Sequence, residues 1–221
     1  MKISIIIPAY NEEKGIKEVI NRCKKICSSG DEIIVVSDGS SDNTAKFAKK
    51  TGKARVISYK NNKGKAGALQ IGFNAAKNDI LVTIDADCTY PPEDIPKLVN
   101  LLNNADLVVG TRFKRQWPRD MPKHRIIANK LGALVTSVIL ARKVTDVTTG
   151  MRAFRKKILK GLNIRAKGLD FEAEFTAKVI TRGYKYAEVK IVAEEREGSS
   201  SLRFFRDIWR FFIAVLRGKF G

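Results

Sequence analysis

The run Ile80-Leu81-Val82-Thr83-Ile84, followed by Asp85-Ala86-Asp87, constrains this chain more than any other segment. A short apolar, β-branched run reads as a buried strand. Ligands of an open α/β sheet bind beyond the carboxyl ends of its strands, and the two aspartates stand at that end. Two carboxylates one residue apart make a hard-oxygen site for Mg²⁺ or Mn²⁺. Such an ion completes its shell with water and substrate phosphates, so the pair points to a diphosphate-bearing substrate. Taken alone, the same pair also suits a solvated turn.

The first half of the chain alternates strand and helix. The pattern predicts strands over 2–8, 32–37, 55–59, 79–84 and 106–111. Helices fall between them over 13–27, after Asp42, over 66–77 and over 92–103, the last with proline in its first turn. That rhythm implies a mostly parallel, doubly wound sheet with helices on both faces. The second half is less regular: a charged loop over 112–123, helices over 125–141 and 170–182, a strand over 186–192 and a last helix over 201–217. No internal repeat or low-complexity linker interrupts it. The expected organisation is one catalytic domain over 1–200 and a C-terminal amphipathic helix over 201–221.

Charge narrows the partners. The chain carries 42 basic and 23 acidic side chains, a net +19, which favours an anionic partner: nucleic acid, a nucleotide substrate or an acidic membrane face. Three cysteines give no disulfide framework. No segment reaches the roughly 18 apolar residues of a membrane span, and no secretory leader is visible. The expected location is cytoplasmic, peripherally associated with the membrane.

Two loops share the sheet edge that carries Asp85 and Asp87. Pro8-Ala9-Tyr10-Asn11-Glu12 follows the first strand, and Asp38-Gly39-Ser40-Ser41-Asp42-Asn43-Thr44 follows the second. Tyr10 can pack on a base or ribose, and Glu12 or Asp38 can accept from ribose hydroxyls. Equally, Asn11, Ser41 and Asp42 suit plain turns and helix starts. Asn62-Lys63-Gly64-Lys65-Ala66-Gly67 opens a helix with glycines that let backbone approach a phosphate. The spacing is neither a Walker motif nor GxGxxG. With His124 the only histidine and no GxSxG, a Ser-His-Asp triad is not expected.

These segments together resemble the family 2, GT-A-type glycosyltransferases, and within them the dolichyl-phosphate mannose synthase group. The carriers are PAYNE (8–12), SDGSSDNT (37–44), NKGKAGAL (62–69), DAD (85–87), GTRF (110–113), TTGMRAFR (148–155) and REGSSSLR (196–203). The resemblance implies a GT-A, Rossmann-like fold. It implies that Pro8, Ala9, Tyr10, Glu12, Asp38 and Lys65 hold the nucleotide-sugar, with Asp85 and Ala86 beside its diphosphate. Asp85 and Asp87 would hold the metal, with Thr89 where many relatives have Gln or His. Arg112, Arg125, Asn129, Arg196 and Ser200 would face the acceptor phosphate, and Asp87, Arg112 and Asp146 the chemistry.

The implied reaction is inverting transfer of a hexose, mannose from GDP-mannose or glucose from UDP-glucose, to a polyprenyl (dolichyl) monophosphate at the membrane surface. A saccharide or protein acceptor is the nearer alternative. A nucleic-acid-binding module is the distant one, and nucleic acid is not expected as a partner. A small membrane-protein partner stays open. At 100° per residue Arg203, Arg206, Arg210 and Arg217 share one face of the last helix, and aromatic and aliphatic residues fill the rest. That pattern fits an interfacial helix or one packed on the core.

Overall fold

The computed structural model describes residues 1–113, 123–168, 170–194 and 204–221, with backbone alone for 123–125 and 204–208. In chain order the elements are β1 (Ile3–Ala9), α1 (Ile16–Ile26), β2 (Glu32–Asp38), α2 (Thr44–Lys50), β3 (Arg55–Tyr59), α3 (Gly64–Ala75), β4 (Ile80–Thr83), α4 (Ile95–Leu101), β5 (Leu107–Thr111), α5 (Lys123–Leu140), β6 (Arg152–Arg155), α6 (Phe171–Thr181), β7 (Tyr186–Lys190) and α7 (Phe204–Phe220). The strands form one sheet in the order β3-β2-β1-β4-β6-β5-β7. All pairings are parallel except those of β6, which runs antiparallel to both β4 and β5.

Alternation along each strand feeds two cores, one on each face. Ile6, Ile34, Val36, Leu81, Leu107, Val109 and Phe154 point into the layer made by α3, α5, α6 and α7. Ile5, Ile7, Ile33, Val35, Val82, Val108 and Ala153 point into the layer made by α1, α2 and α4. Burial on both faces is why these strands read as continuous apolar runs. On the first face Phe154 meets Phe73 edge-on at 5.4 Å and Phe175 at 5.0 Å, and Phe171 stacks on Phe175. Offset and edge-to-face pairs of this kind add to plain area burial. They join α3, β6 and α6 across the layer.

The doubly wound, mostly parallel architecture matches the sequence-based expectation, and most boundaries fall within two or three residues of it. Strand β6 was not foreseen. It is four residues long and begins and ends on arginine, so it lacks the apolar run that marks its neighbours. Arg152 is nonetheless fully buried. Its guanidinium donates to Val147 O (2.8 Å), Thr149 O (3.0 Å) and Thr176 Oγ1 (2.7 Å), which satisfies a group that is costly to bury alone. The helix expected from Pro92 starts instead as a 3₁₀ turn over Pro92–Asp94, with Ile95 N–H donating to Pro92 O. Pro96 lacks the N–H that an α-helix begun at Pro92 would direct to that carbonyl.

Helix α7 packs along α6. Ala214 and Val215 are buried. At Gly218 an added Cβ would lie 2.3 Å from Ala177 Cβ and 3.0 Å from Glu174 O, so only glycine permits that approach. Arg217 turns inward, with Nη1 3.5 Å from Glu174 Oε2. Glu174, fully buried, also accepts from the backbone of Arg165 and Ala166 and from Lys178 Nζ. Trp209, Ile213 and Phe220 are exposed. Gly218→Leu should therefore overpack the α6–α7 contact and cost about 1–3 kcal/mol, read as a fall in Tm of roughly 2–4 °C per kcal/mol for a chain of this size. Phe220→Ser, on the exposed side, should stay within about 0.5 kcal/mol. Equal effects of the two in thermal denaturation would contradict this packing.

Candidate active site

Strands β2, β1 and β4 are adjacent and parallel. Their carboxyl ends therefore bring Asp38, the loop from Pro8 to Glu12 and the Asp85–Asp87 segment to one edge. The first two loops are sewn together. Asn11, at φ 55°, accepts from Ser41 N–H at 2.8 Å and donates its own N–H to Ser40 Oγ. Glu12 N–H donates to Thr44 Oγ1 at 2.8 Å, and Glu13 Oε2 accepts from Asn43 N–H. Asp42 accepts from Thr44 N–H at 2.9 Å, at the start of α2. Tyr10 stands half-exposed on this surface, Pro8 and Glu12 are half-buried, and Ala9 is buried. Asp38 is buried, and its Oδ1 accepts from Lys63 N–H at 2.7 Å.

The acidic pair sits at the centre. Asp85 is partly exposed and Asp87 buried. Lys65, at the start of α3, places Nζ 2.7 Å from Asp85 Oδ1 and 2.6 Å from Glu172 Oε1 on α6. Burial by itself would pull the Lys65 pKa down. The two carboxylates outweigh it and hold the ammonium above its ordinary range. Gly150 closes over Asp85, and an added Cβ there would fall 2.5 Å from both carboxylate oxygens. Gly150 is held in turn, since its N–H donates to Tyr90 Oη and its carbonyl accepts from Thr83 Oγ1 at 2.7 Å. Ala86 is buried, and Thr89 N–H donates to Asp87 Oδ1 at 3.1 Å. The glycines of the β3–α3 loop make room for protein rather than leaving open space. Gly64, at φ +77°, has Lys167 O where its Cβ would be, and Gly67 has the Lys63 side chain.

Beside Asp85 lies a second charged unit. Arg112, just past β5, forms a two-pronged ion pair with Asp146 (Nε–Oδ2 2.7 Å, Nη2–Oδ1 2.8 Å), and its backbone N–H adds a third bond. Nη2 also donates to Thr148 Oγ1, which donates to Asn129 Oδ1 at 2.8 Å. Burial opposes the charge on Arg112. Asp146 outweighs it, with Asp85 adding further off, and the guanidinium is held protonated. Its face lies 5.9 Å from the Tyr90 ring and 5.4 Å from Phe113. Burial raises the Tyr90 pKa, so the ring and hydroxyl stay neutral.

The structure thus gathers Asp85, Asp87, Lys65, Arg112, Asp146 and Asn129 at one edge. The backbone of Arg125 belongs to the first turn of α5, but its side chain, and the whole of Arg196 and Ser200, lie outside the described residues. The arrangement is two adjoining half-sites. An acidic pair suits a cation with a diphosphate, and a fixed guanidinium suits a second anion.

Comparison with known proteins agrees with this architecture. The family model described as Glycosyl transferase family 2 matches residues 4–162. The chain belongs to glycosyltransferase family 2. Among relatives, this glycosyltransferase is 34% identical over 201 residues to a dolichyl-phosphate hexose transferase of Haloferax volcanii, covering 90% of this chain and 86% of that protein. It is 35% identical to a UDP-N-acetylglucosamine–dolichyl-phosphate N-acetylglucosaminyltransferase of Methanococcus voltae, covering 83% and 81%. A dolichol-phosphate mannosyltransferase of Pyrococcus furiosus is 33% identical, with 80% of this chain but only 53% of that protein covered. Among solved structures, a glucosyl-3-phosphoglycerate synthase of Mycobacterium tuberculosis superposes with a TM-score of 0.80 at 24% identity, over 98% of this chain and 79% of that one. That likeness confirms the GT-A fold.

In this glycosyltransferase three side chains and one backbone position at the site went unread in the sequence: Glu172, Tyr90, Arg152 and Gly150. Glu172 and Glu174 did carry a signal, because acids two apart in Phe171-Glu172-Ala173-Glu174-Phe175 cannot both face water on an otherwise apolar helix. Asp146→Asn should leave the buried Arg112 guanidinium without its anion. Breaking a buried pair in this way costs about 3–5 kcal/mol, visible in urea unfolding. Arg112→Lys keeps a charge but cannot span both carboxylate oxygens, so its loss of stability should be smaller. If Asp146→Asn unfolds like wild type, the pair does not organise this edge.

Proposed function

We propose that this glycosyltransferase moves a hexose from a nucleoside-diphosphate sugar to a polyprenyl monophosphate, inverting the anomeric centre. The observation that carries the reading is the groove beside Arg112. A cavity of about 610 Å³ is lined by Phe113, Leu134, Val138, Lys130, Arg142 and Lys143. An apolar trough with a basic border, beginning at the residue after Arg112, suits a phosphate carrying a hydrocarbon tail. A saccharide acceptor would have no use for either property. The dolichyl-phosphate transferases among the relatives support the same acceptor. Mannose from GDP-mannose is the preferred donor, with UDP-glucose the alternative.

The site residues take roles in this reading. Tyr10, Glu12 and Asp38, with Pro8 and Ala9, bind base and ribose. Asp85 and Asp87 fit a divalent ion, Mg²⁺ or Mn²⁺. Among the described residues no third His, Cys, Asp or Glu joins them in a cluster, and a two-carboxylate donor set leaves the remaining positions to diphosphate oxygens and water. When bound, the ion supplies positive charge to the departing nucleoside diphosphate. Arg112, fixed by Asp146, holds the acceptor phosphate in line, with Arg125, Arg196, Asn129 and Ser200 assigned to the same anion. The second pKa of a phosphate monoester lies near 6, so the nucleophile is already anionic at neutral pH. Positioning two anions is then the main task, and no histidine base is required.

Two neighbouring helices support association with a membrane surface. On α5, Ile127, Leu131, Leu134 and Val138 are exposed at helical spacing, and on α7 Trp209 and Ile213 are exposed. Gly132 meets the Phe211 ring between them. Exposed Lys130, Arg142, Lys143 and Arg210 border the apolar residues. An apolar surface with a basic rim fits an anionic bilayer interface. Among the described residues no helix is long and apolar enough to cross a membrane.

Two measurements test the proposal. Incubation with radiolabelled GDP-mannose or UDP-glucose, polyprenyl phosphate and Mg²⁺ or Mn²⁺ should put label into solvent-extractable lipid. Asp87→Asn should lower that rate roughly 100-fold or more with normal circular dichroism, the scale of losing one charge-stabilising group. Label that never enters lipid from any donor would exclude the acceptor class. Leu131→Glu combined with Trp209→Glu should cut sedimentation with anionic liposomes while sparing transfer to a short, water-soluble acceptor. Unchanged liposome binding would remove these helices from the membrane surface.

A further inference from the structure

We propose that Lys65 is a built-in counter-ion for Asp85, which turns away bare divalent cations and makes metal binding contingent on the nucleoside diphosphate. This rests on the reading that Asp85 and Asp87 hold the diphosphate's metal ion. The lysine does not reach outward for a phosphate in the structure. Its ammonium lies between two carboxylates, 2.7 Å from Asp85 Oδ1 and 2.6 Å from Glu172 Oε1. It therefore occupies one of the oxygens that a cation would use.

Glu172 gives the arrangement its permanence. Its side chain is almost fully buried in α6, so it serves Lys65 and is withdrawn from the open side where substrate arrives. Behind it the Arg152 guanidinium donates to Val147 O, Thr149 O and Thr176 Oγ1; its charge is felt by Glu172, but among the described residues the ion pair at the Glu172 carboxylate is with Lys65. Gly150 lies close to the same Asp85 carboxylate, with no room for a Cβ between them.

A bare Mg²⁺ or Mn²⁺ ion thus meets Asp85 already neutralised, with like charge within a few ångströms. No cluster of three or more acidic, His or Cys ligands among the described residues compensates. A diphosphate reverses the sign of the lysine's effect. It brings negative charge that Lys65 can face while the metal takes the Asp85 oxygen. The same side chain opposes the metal alone and favours the metal–diphosphate pair. Metal and nucleotide are then coupled, and linkage requires the coupling to be reciprocal.

Direct Mn²⁺ binding to the full chain, read from the loss of the free-ion signal in electron paramagnetic resonance against a protein-free blank at the same nucleotide concentration, tests this without turnover. In wild type, GDP or UDP should tighten Mn²⁺ binding at least tenfold, within the usual range of site–site coupling. Lys65→Met should bind Mn²⁺ alone about tenfold tighter than wild type, and most of the nucleotide-dependent gain should vanish. Because Lys65→Met leaves Glu172 buried without its ion pair, the double variant Lys65→Met/Glu172→Gln is measured beside it, with circular dichroism for folding. If the folded variants bind Mn²⁺ alone no tighter than wild type, the counter-ion role is overturned while the two-carboxylate reading stands. If wild type binds no Mn²⁺ with either nucleotide, the metal–diphosphate reading itself falls, and this inference with it.

Discussion

Strand β6 enters the sheet antiparallel between β4 and β5, and the geometry of the active edge depends on that insertion. Its direction brings its amino end to the edge where the parallel strands present their carboxyl ends. Gly150 arrives there against Asp85, tied to Thr83 and Tyr90, and Gly110 N–H donates to Met151 O at 2.9 Å. The segment leading into β6 also carries Asp146 and Thr148 to Arg112. A parallel strand in that position would deliver a different end of the chain, and the two half-sites would lose their common wall.

Charge is buried at this edge on a scale that needs a physical account. Asp87, Asp146, Arg152 and Glu172 are all nearly inaccessible. Removing an ion from water costs several kcal/mol unless partners surround it. Here each ion has fixed partners: Asp87 takes the Thr89 N–H, Asp146 takes three N–H groups of Arg112, Glu172 takes Lys65, and Arg152 takes two carbonyls and a hydroxyl. Such a set contributes little net stability. What it supplies is fixed charge in a dry setting, where electrostatic interactions with a substrate are stronger than in water. In the proposed reaction between two anions, that is the more useful property.

Helices α5 and α7 extend the same logic to the outside. Both contribute one side to the core. Ala133 and Ala214 are buried while Leu131 and Trp209 are exposed. The last helix therefore packs along α6, one of the two readings its sequence left open, and keeps an apolar outer side. Arg217, which the helical pattern grouped with the polar face, turns to buried Glu174 instead. Close contact at Gly218 sets that rotation, because a glycine lets α7 approach until the arginine reaches inward.

By itself the sequence determined the sheet class, the place of the acidic pair and the family. Burial of strands on both faces writes itself as apolar, β-branched runs such as Ile80–Ile84, and loops at strand ends carry side chains whose chemistry is legible one by one. Strand β6, the pairing of Arg112 with Asp146 and the bridge from Asp85 through Lys65 to Glu172 were decided only by tertiary structure. A four-residue strand bounded by arginines has no periodic signature, since its burial comes from neighbours distant in sequence. Lys65 and Glu172 are 107 positions apart (172 − 65). No local pattern records which buried acid will meet which buried base, because desolvation and approach distance, set by the packing of α3 against α6 across the sheet edge, choose the pair.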